Sequence, residues 1–374
     1  MSLPADLVKP PYTRERIDEI LNEITRLGPN RRSEALAGLS LIIDRQEASR
    51  EIYLLGIKGE LADIGEKYID KLPLSLCPQV FKSSLISLLV KKIKKPIPVA
   101  SLEDSLRRIH GYMTYMNPLT ILYILWKNPE GAKNYFAEII SKNILVDLAN
   151  PDLRYTVIYR DILVALSPIL SVELFKKYYE PAGIPDEALE AAEEIGGKKL
   201  DELLALALRS YLRILVSVTQ VLRSAAKAED YLENMKLETS GLIKYREILG
   251  KLVKTSKNLM QTSLDTLTVR PEEKTAKSLA EIVAVALRRT SDPEDYRIAL
   301  NLLLEASLAP PDLVEGLNSI LGRISELLET INREELSKLC SSRKGRLLIE
   351  RLSRHSDKKW ISKLGINWTD LCRS

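Results

Sequence analysis

Residues 200–267 read LDELLALALRSYLRILVSVTQVLRSAAKAEDYLENMKLETSGLIKYREILGKLVKTSKNLMQTSLDTL, and the class of the fold follows from them. Leu204, Tyr211, Val218, Ala225 and Leu232 recur at every seventh position, with Leu208, Leu215 and Leu222 interleaved. After the turn-forming run Glu238-Thr239-Ser240-Gly241 the pattern restarts. Leu242 and Leu249 alternate with Tyr245, Leu252 and Leu259, and Ile248 widens the stripe. An apolar repeat near 3.5 residues marks a helix that packs lengthwise on another helix. At 1.5 Å per residue the first helix spans roughly 50 Å and the second roughly 39 Å. A long antiparallel helix pair is therefore expected over residues 198–268, too long for one compact core to cover.

On either side of the pair the chain reads as shorter helices. Thr13 has the chemistry of an N-cap, and Ile17, Ile20, Leu21, Ile24 and Leu27 follow at helical spacing up to the Gly28-Pro29 stop. A second helix from Arg31 is expected to bury Leu36, Leu39, Ile42 and Ile43, with others near 52–71, 79–94 and, after Ser101, 102–115. Asn117-Pro118, Asn128-Pro129, Asn150-Pro151, Ser167-Pro168, Asp292-Pro293 and Pro310-Pro311 each place a proline where it opens a helix. Strand character is confined to 95–99 and 156–159, too short to build a sheet. The expected fold is all-α: irregular α-solenoid-like or bundled arrays of helices braced by the long pair. Composition shifts suggest an N-terminal array (1–180), an acidic connector (181–197), the pair (198–268) and a C-terminal array with a basic tail (269–374). From Glu180 onward six acids precede the first base, Lys198, and Asp186 could cap a short amphipathic helix to Ile195.

Apolar residues make up 45% and charged residues 28%, the balance of a soluble globular protein and too apolar for a disordered one. Four glutamines (Gln46, Gln79, Gln220, Gln261) against 55 Lys plus Arg resemble the bias of thermophile proteins. No run of 18 apolar residues occurs, so no membrane span is expected, and the N-terminal residues lack a signal-peptide core. Cys77, Cys340 and Cys372 are far apart and odd in number, without CxxC spacing. They are expected to be three separate thiols in a reducing cytoplasm.

Material for catalysis is sparse. His110 and His355 are the only histidines, and no phosphate-binding glycine loop, GxSxG or HExxH motif is present. A non-enzymatic chain with no cofactor and no metal is the expectation. Two segments carry interaction chemistry. From Leu336 onward ten cations face three acids, a surplus of seven that leaves −3 for the rest of a chain whose net charge is +4. In this tail Arg343, Lys344, Arg346, Arg351, Arg354, Lys358, Lys359 and Lys363 interleave with Trp360 and Trp368. Cations that displace phosphate counterions, beside aromatic faces for unpaired bases, are what sequence-independent nucleic-acid binding requires. The same tryptophans could instead pin the tail to the body. The second segment, around Tyr112, Met113, Tyr115 and Met116, offers the adaptable contact area typical of protein interfaces. The leading expectation is a scaffold for protein–protein interaction, with self-association through the long helices as a subsidiary one. Nucleic-acid binding by the tail is the alternative.

Overall fold

A computed structural model describes residues 8–43, 46–68, 71–72, 74–93, 118–142, 153–179, 186–196, 200–234, 240–264 and 273–372. The chain is 86% helical, with no strand among the described residues, so the all-α class holds. It divides into two compact units, 1–114 with 123–135, and 115–122 with 136–374. The acidic segment 181–197 lies inside the second.

In the first unit, α1 (Arg14–Thr25) begins where the Thr13 hydroxyl accepts from Arg16 N, as the cap chemistry demands. It buries Ile17, Ile20, Leu21 and Ile24. In α2 (Pro29–Ile43) Leu36, Leu39 and Ile43 are buried, whereas Ile42 is exposed, because it lies off the row that the other three share. α3 (Gln46–Lys58) and α4 (Ala62–Tyr68) both pack on α5 (Pro78–Ile93), whose buried Ser83, Ser84 and Ser87 form a row of small residues. That row lets the backbones approach closely. A Cβ at Gly56 would fall 2.9 Å from the Ser83 carbonyl oxygen, and Ser87 Oγ donates to Gly56 O at 3.0 Å. The expected single helix over 52–71 is thus two, broken at Gly59, which takes a positive φ of 79°. The helix expected at 102–115, and with it Tyr112, Met113, Tyr115 and Met116, lies outside the described residues. So does the extended segment expected at 95–99.

Next come α6 (Pro118–Lys127) and α7 (Pro129–Lys142), each opened by the proline of an Asn-Pro pair. The second unit continues with α8 (Leu153–Ala165), α9 (Ser167–Leu170), α10 (Val172–Tyr179), α11 (Asp186–Gly196), α12 (Asp201–Asn234), α13 (Ser240–Leu264), α14 (Glu273–Thr290) and α15 (Pro293–Leu308). The short α16 (Pro311–Val314) precedes α17 (Asn318–Glu329), α18 (Arg333–Ser337), α19 (Arg343–Arg354), α20 (Lys359–Ser362) and α21 (Trp368–Leu371). Residues 156–159 lie within α8, not in a strand: β-branched content gives way to packing against α12.

The eight heptad positions of α12 are all buried, and Leu203, Ala207, Leu212, Ile214, Val216 and Thr219 are buried beside them. A helix buried on so many sides is a core helix, and α8, α14 and α15 enclose it. By length and composition α12 could cross a membrane, yet its apolar surface is satisfied by these neighbours. The core also holds Arg160 and Asp161, both fully buried, with Arg160 Nη2 2.6 Å from Asp161 Oδ1. Burial pushes the Asp161 carboxyl up to about 7, while the neighbouring guanidinium pulls it down. Among the described residues Asp161 Oδ2 has no hydrogen-bond partner. α11 turns Asp186, Glu190, Glu193 and Glu194 outward and buries Ala188, Ala191, Ala192 and Ile195, so this helix is packed on one face and solvated on the other.

Cys340 and Cys372 form a disulfide across a sequence separation of 32, and Cys77 is buried. This corrects the expectation of three separate thiols. Residues distant in sequence meet because α18–α21 fold into one small module, and sequence spacing carries no trace of that approach.

Candidate interaction surface

The surface is built outward from an ionic row on α12. Arg209 spans Asp292 (Nη2–Oδ2 2.7 Å) and the buried Asp295, and Arg213 meets Glu294 at 3.1 Å. Further along, Gln220 Nε2 donates to Glu305 Oε1 at 3.2 Å, and Arg223 lies 2.9 Å from Glu305 Oε2. These four polar residues share one side of α12 because they are spaced four, seven and three apart. They attach it to the acidic first turn of α15 and to Glu305 in its fourth. Arg351 of α19 completes the clasp on Glu305 at 2.6 Å. A fully buried carboxylate is tolerable here because two guanidiniums and an amide surround it. Burial pushes Asp295 up, with Arg209 opposing. Glu294 is held down at about 2 by its hydrogen bonds to Arg297, with Arg213 adding to the effect.

The register of these pairs locates an edge. Arg209 with Asp295 is a separation of 86, and Gln220 with Glu305 one of 85, so the two helices run in the same direction. Leu308, the last residue of α15, therefore lies level with about Arg223. From Ser224 to Asn234, about 16 Å of helix, α12 continues without α15 beside it. Burial changes at that point: beyond Arg223 only Ala225 and Leu232 are buried on α12. Those two pack with Ala228 against Leu249 and Val253 of α13, and Arg246 Nη2 donates to Leu232 O at 3.4 Å.

A contact between two helices buries one seam and leaves its flank open. Ser217, Gln220, Val221 and Ser224 on α12 line a groove of ≈ 360 Å³ with Leu249 and Leu252 on α13. Ser217, Ser224 and Tyr231 fall on one row at a spacing of seven, as do Tyr245 and Leu252, with Ile248 between. Tyr231, Tyr245 and Ile248 are 65%, 59% and 54% exposed. This corrects the expectation that Tyr245 and Ile248 belong to the packed stripe. The heptad pattern of α13 is wider than its neighbours α12 and α8 cover, and Tyr245 and Ile248 stay open to solvent.

The predicted tail residues go elsewhere. Trp360 and Trp368 are buried at 5% and 3% exposure, and Trp360 N donates to Ser307 Oγ at 3.2 Å, seating α20 on α15. Lys359 and Lys363 place their ammonium groups 4.8 and 4.7 Å from the Trp360 ring centroid. Arg351 is committed to Glu305, Arg354 to Glu350, and Lys358 lies 3.5 Å from Asp357. Arg343, Lys344 and Arg346 are exposed on α19 beside the exposed Leu347. The basic residues at 91–95 are described only in part; Lys91 pairs with Glu66 at 3.4 Å.

A second hollow, ≈ 550 Å³, lies among α10, α14 and α17. Its charges are bridged to one another: Lys177 to Glu281 at 2.8 Å, and Arg323 to Glu281 at 3.0 Å and Glu326 at 2.7 Å. These bonds hold Glu281 below the usual carboxylate range against the effect of burial. Among the described residues no group of three His, Cys, Asp or Glu is arranged to hold a metal. Comparison with protein-family models, with curated proteins and with solved structures returned no match.

Proposed function

We propose that this chain is a helical scaffold that binds a partner protein at the end of the long helix pair, where α12 runs past α15. The observation that carries the reading is the exposed row of Tyr231, Tyr245 and Ile248 beside the α12–α13 groove. Clustered aromatic and aliphatic side chains rimmed by charge are the composition of an interface, whereas isolated exposed apolar residues are ordinary. Nucleic-acid binding by the tail has less support. Its stacking groups, Trp360 and Trp368, are buried in the module, and Arg343, Lys344 and Arg346 remain as a small cationic patch.

A photo-crosslinking residue placed at Tyr245 should capture a discrete protein in a lysate of the native cells, and Ile248→Asp should abolish the adduct. The same crosslinker at Leu41, exposed in the first unit, serves as the control. Equal capture from both positions, or none from Tyr245, would defeat the proposal.

A further inference from the structure

Resting on that reading, we infer that the α12–α13 groove is a seat for an acidic amphipathic helix of another protein. The first argument is positional. Up to Arg223 the side of α12 next to the groove, that of Arg209, Arg213 and Gln220, is packed on α15, a helix that presents aliphatic residues between Asp292, Glu294, Asp295 and Glu305. Beyond the level of Leu308 no helix of the described residues continues that line, while α12 and α13 continue side by side. A helix laid there would extend the line of α15 and complete a three-helix contact over Ser224, Tyr231, Tyr245, Ile248 and Leu252.

The second argument is charge. Lys244 and Lys251 flank Ile248 at i−4 and i+3 on the α13 rim, and Lys227 lies between Ser224 and Tyr231 on the α12 rim; all three are exposed. The acids nearby point elsewhere. At 100° per residue Glu229, Asp230 and Glu233 fall a third of a turn or more from the Ser217–Ser224–Tyr231 row. Glu247 is similarly displaced from Tyr245, Ile248 and Leu252. Along α13 as a whole, Lys244, Arg246, Lys251, Lys254 and Lys257 face one acid, Glu247. An apolar floor between cationic rims selects a helix with aliphatic anchors at i, i+4 and i+7 and carboxylates on its flanks. It repels a basic one.

The probes are two synthetic helical peptides of about 18 residues, roughly 27 Å long. They share a leucine row and differ in having glutamates or lysines on the flanks. Fluorescence anisotropy with the full chain at low salt should show the glutamate peptide binding at least tenfold more tightly than the lysine peptide. Ile248→Asp should weaken the glutamate peptide tenfold or more, and Lys244→Glu with Lys251→Glu should invert the preference. Circular dichroism of these surface variants should match the parent. Equal binding of both peptides, no binding of either, or a preference unmoved by the charge reversal would overturn the inference. Concentration-dependent dimers in light scattering that Ile248→Asp dissolves would also overturn it, by assigning the groove to a second copy. Should crosslinking from Tyr245 depend on Ile248 while the peptide preference fails, the scaffold stands and the acidic partner falls.

Discussion

Glu294 and Asp161 show how far placement, at the scale of one residue, separates two carboxylates in the same unit. Glu294 lies at the start of α15 between Arg297 and Arg213 and is held near 2 instead of its ordinary 4.5. The proton is bound more weakly in the folded than in the unfolded chain. Its stabilising contribution is therefore complete above about 4.5 and lost as pH falls towards about 2. Asp161, raised from 3.8 to about 7 by burial, acts with the opposite sign: stability declines as pH climbs between those values. Thermal denaturation followed from pH 2 to 5 should show a shallower acid slope for Glu294→Gln than for the parent. Parallel slopes would mean that Arg213 and Arg297 do not hold this carboxylate in solution. Nothing within the adjacent pair Arg160-Asp161 indicates that both side chains are buried.

For the elements, the outcome turns on how much of α12 is core. Leu215 is fully buried on α12, so Leu215→Asp buries a carboxylate without a partner. It should destabilise the second unit by more than about 4 kcal/mol. Leu347→Asp, on the exposed side of α19, should stay within about 0.5 kcal/mol. Urea denaturation monitored by circular dichroism compares the two, and a Leu215→Asp midpoint near that of the parent would refute the buried seam. The helix starts were legible because proline and Asn, Asp or Ser act locally: Asp292 caps α15 by accepting from Glu294 N at 2.8 Å, with Pro293 in the first turn. The exposed flank of α13 was not legible. Period marks Tyr245, Ile248, Leu249 and Leu252 alike, and which of them is covered depends on where α15 ends.

For the molecule, the basic tail changes meaning once folded. Its surplus of cations is divided between structural pairs and solvent, with Arg351 on Glu305, Lys359 and Lys363 against Trp360, and Arg343, Lys344 and Arg346 outside. The Cys340–Cys372 bridge closes this module. A Cβ at Gly345 would fall on the Leu339 carbonyl, so α19 fits against its neighbour only with glycine there. Cys340→Ser should lower the stability of the C-terminal module by about 3 kcal/mol, as expected for a loop of this length. A thiol reductant should reproduce the loss in the parent chain, and an unchanged urea midpoint in both cases would argue against the bridge. Disulfides belong to oxidising compartments and also to the interiors of hyperthermophiles, so the pairing is compatible with the thermophile-like composition.

Heptad spacing was sufficient to place two long helices and the buried positions of the first, and local cap chemistry to punctuate the rest, because both act within a few residues along the chain. The end of α15 beside α12, the clasp around Glu305, the cysteine pairing and the open groove arise from contacts between residues up to 85 positions apart. Such contacts form when whole helices settle against one another. Side-chain type constrains that docking only weakly, since one apolar stripe packs as well in a core as beneath a partner not yet bound.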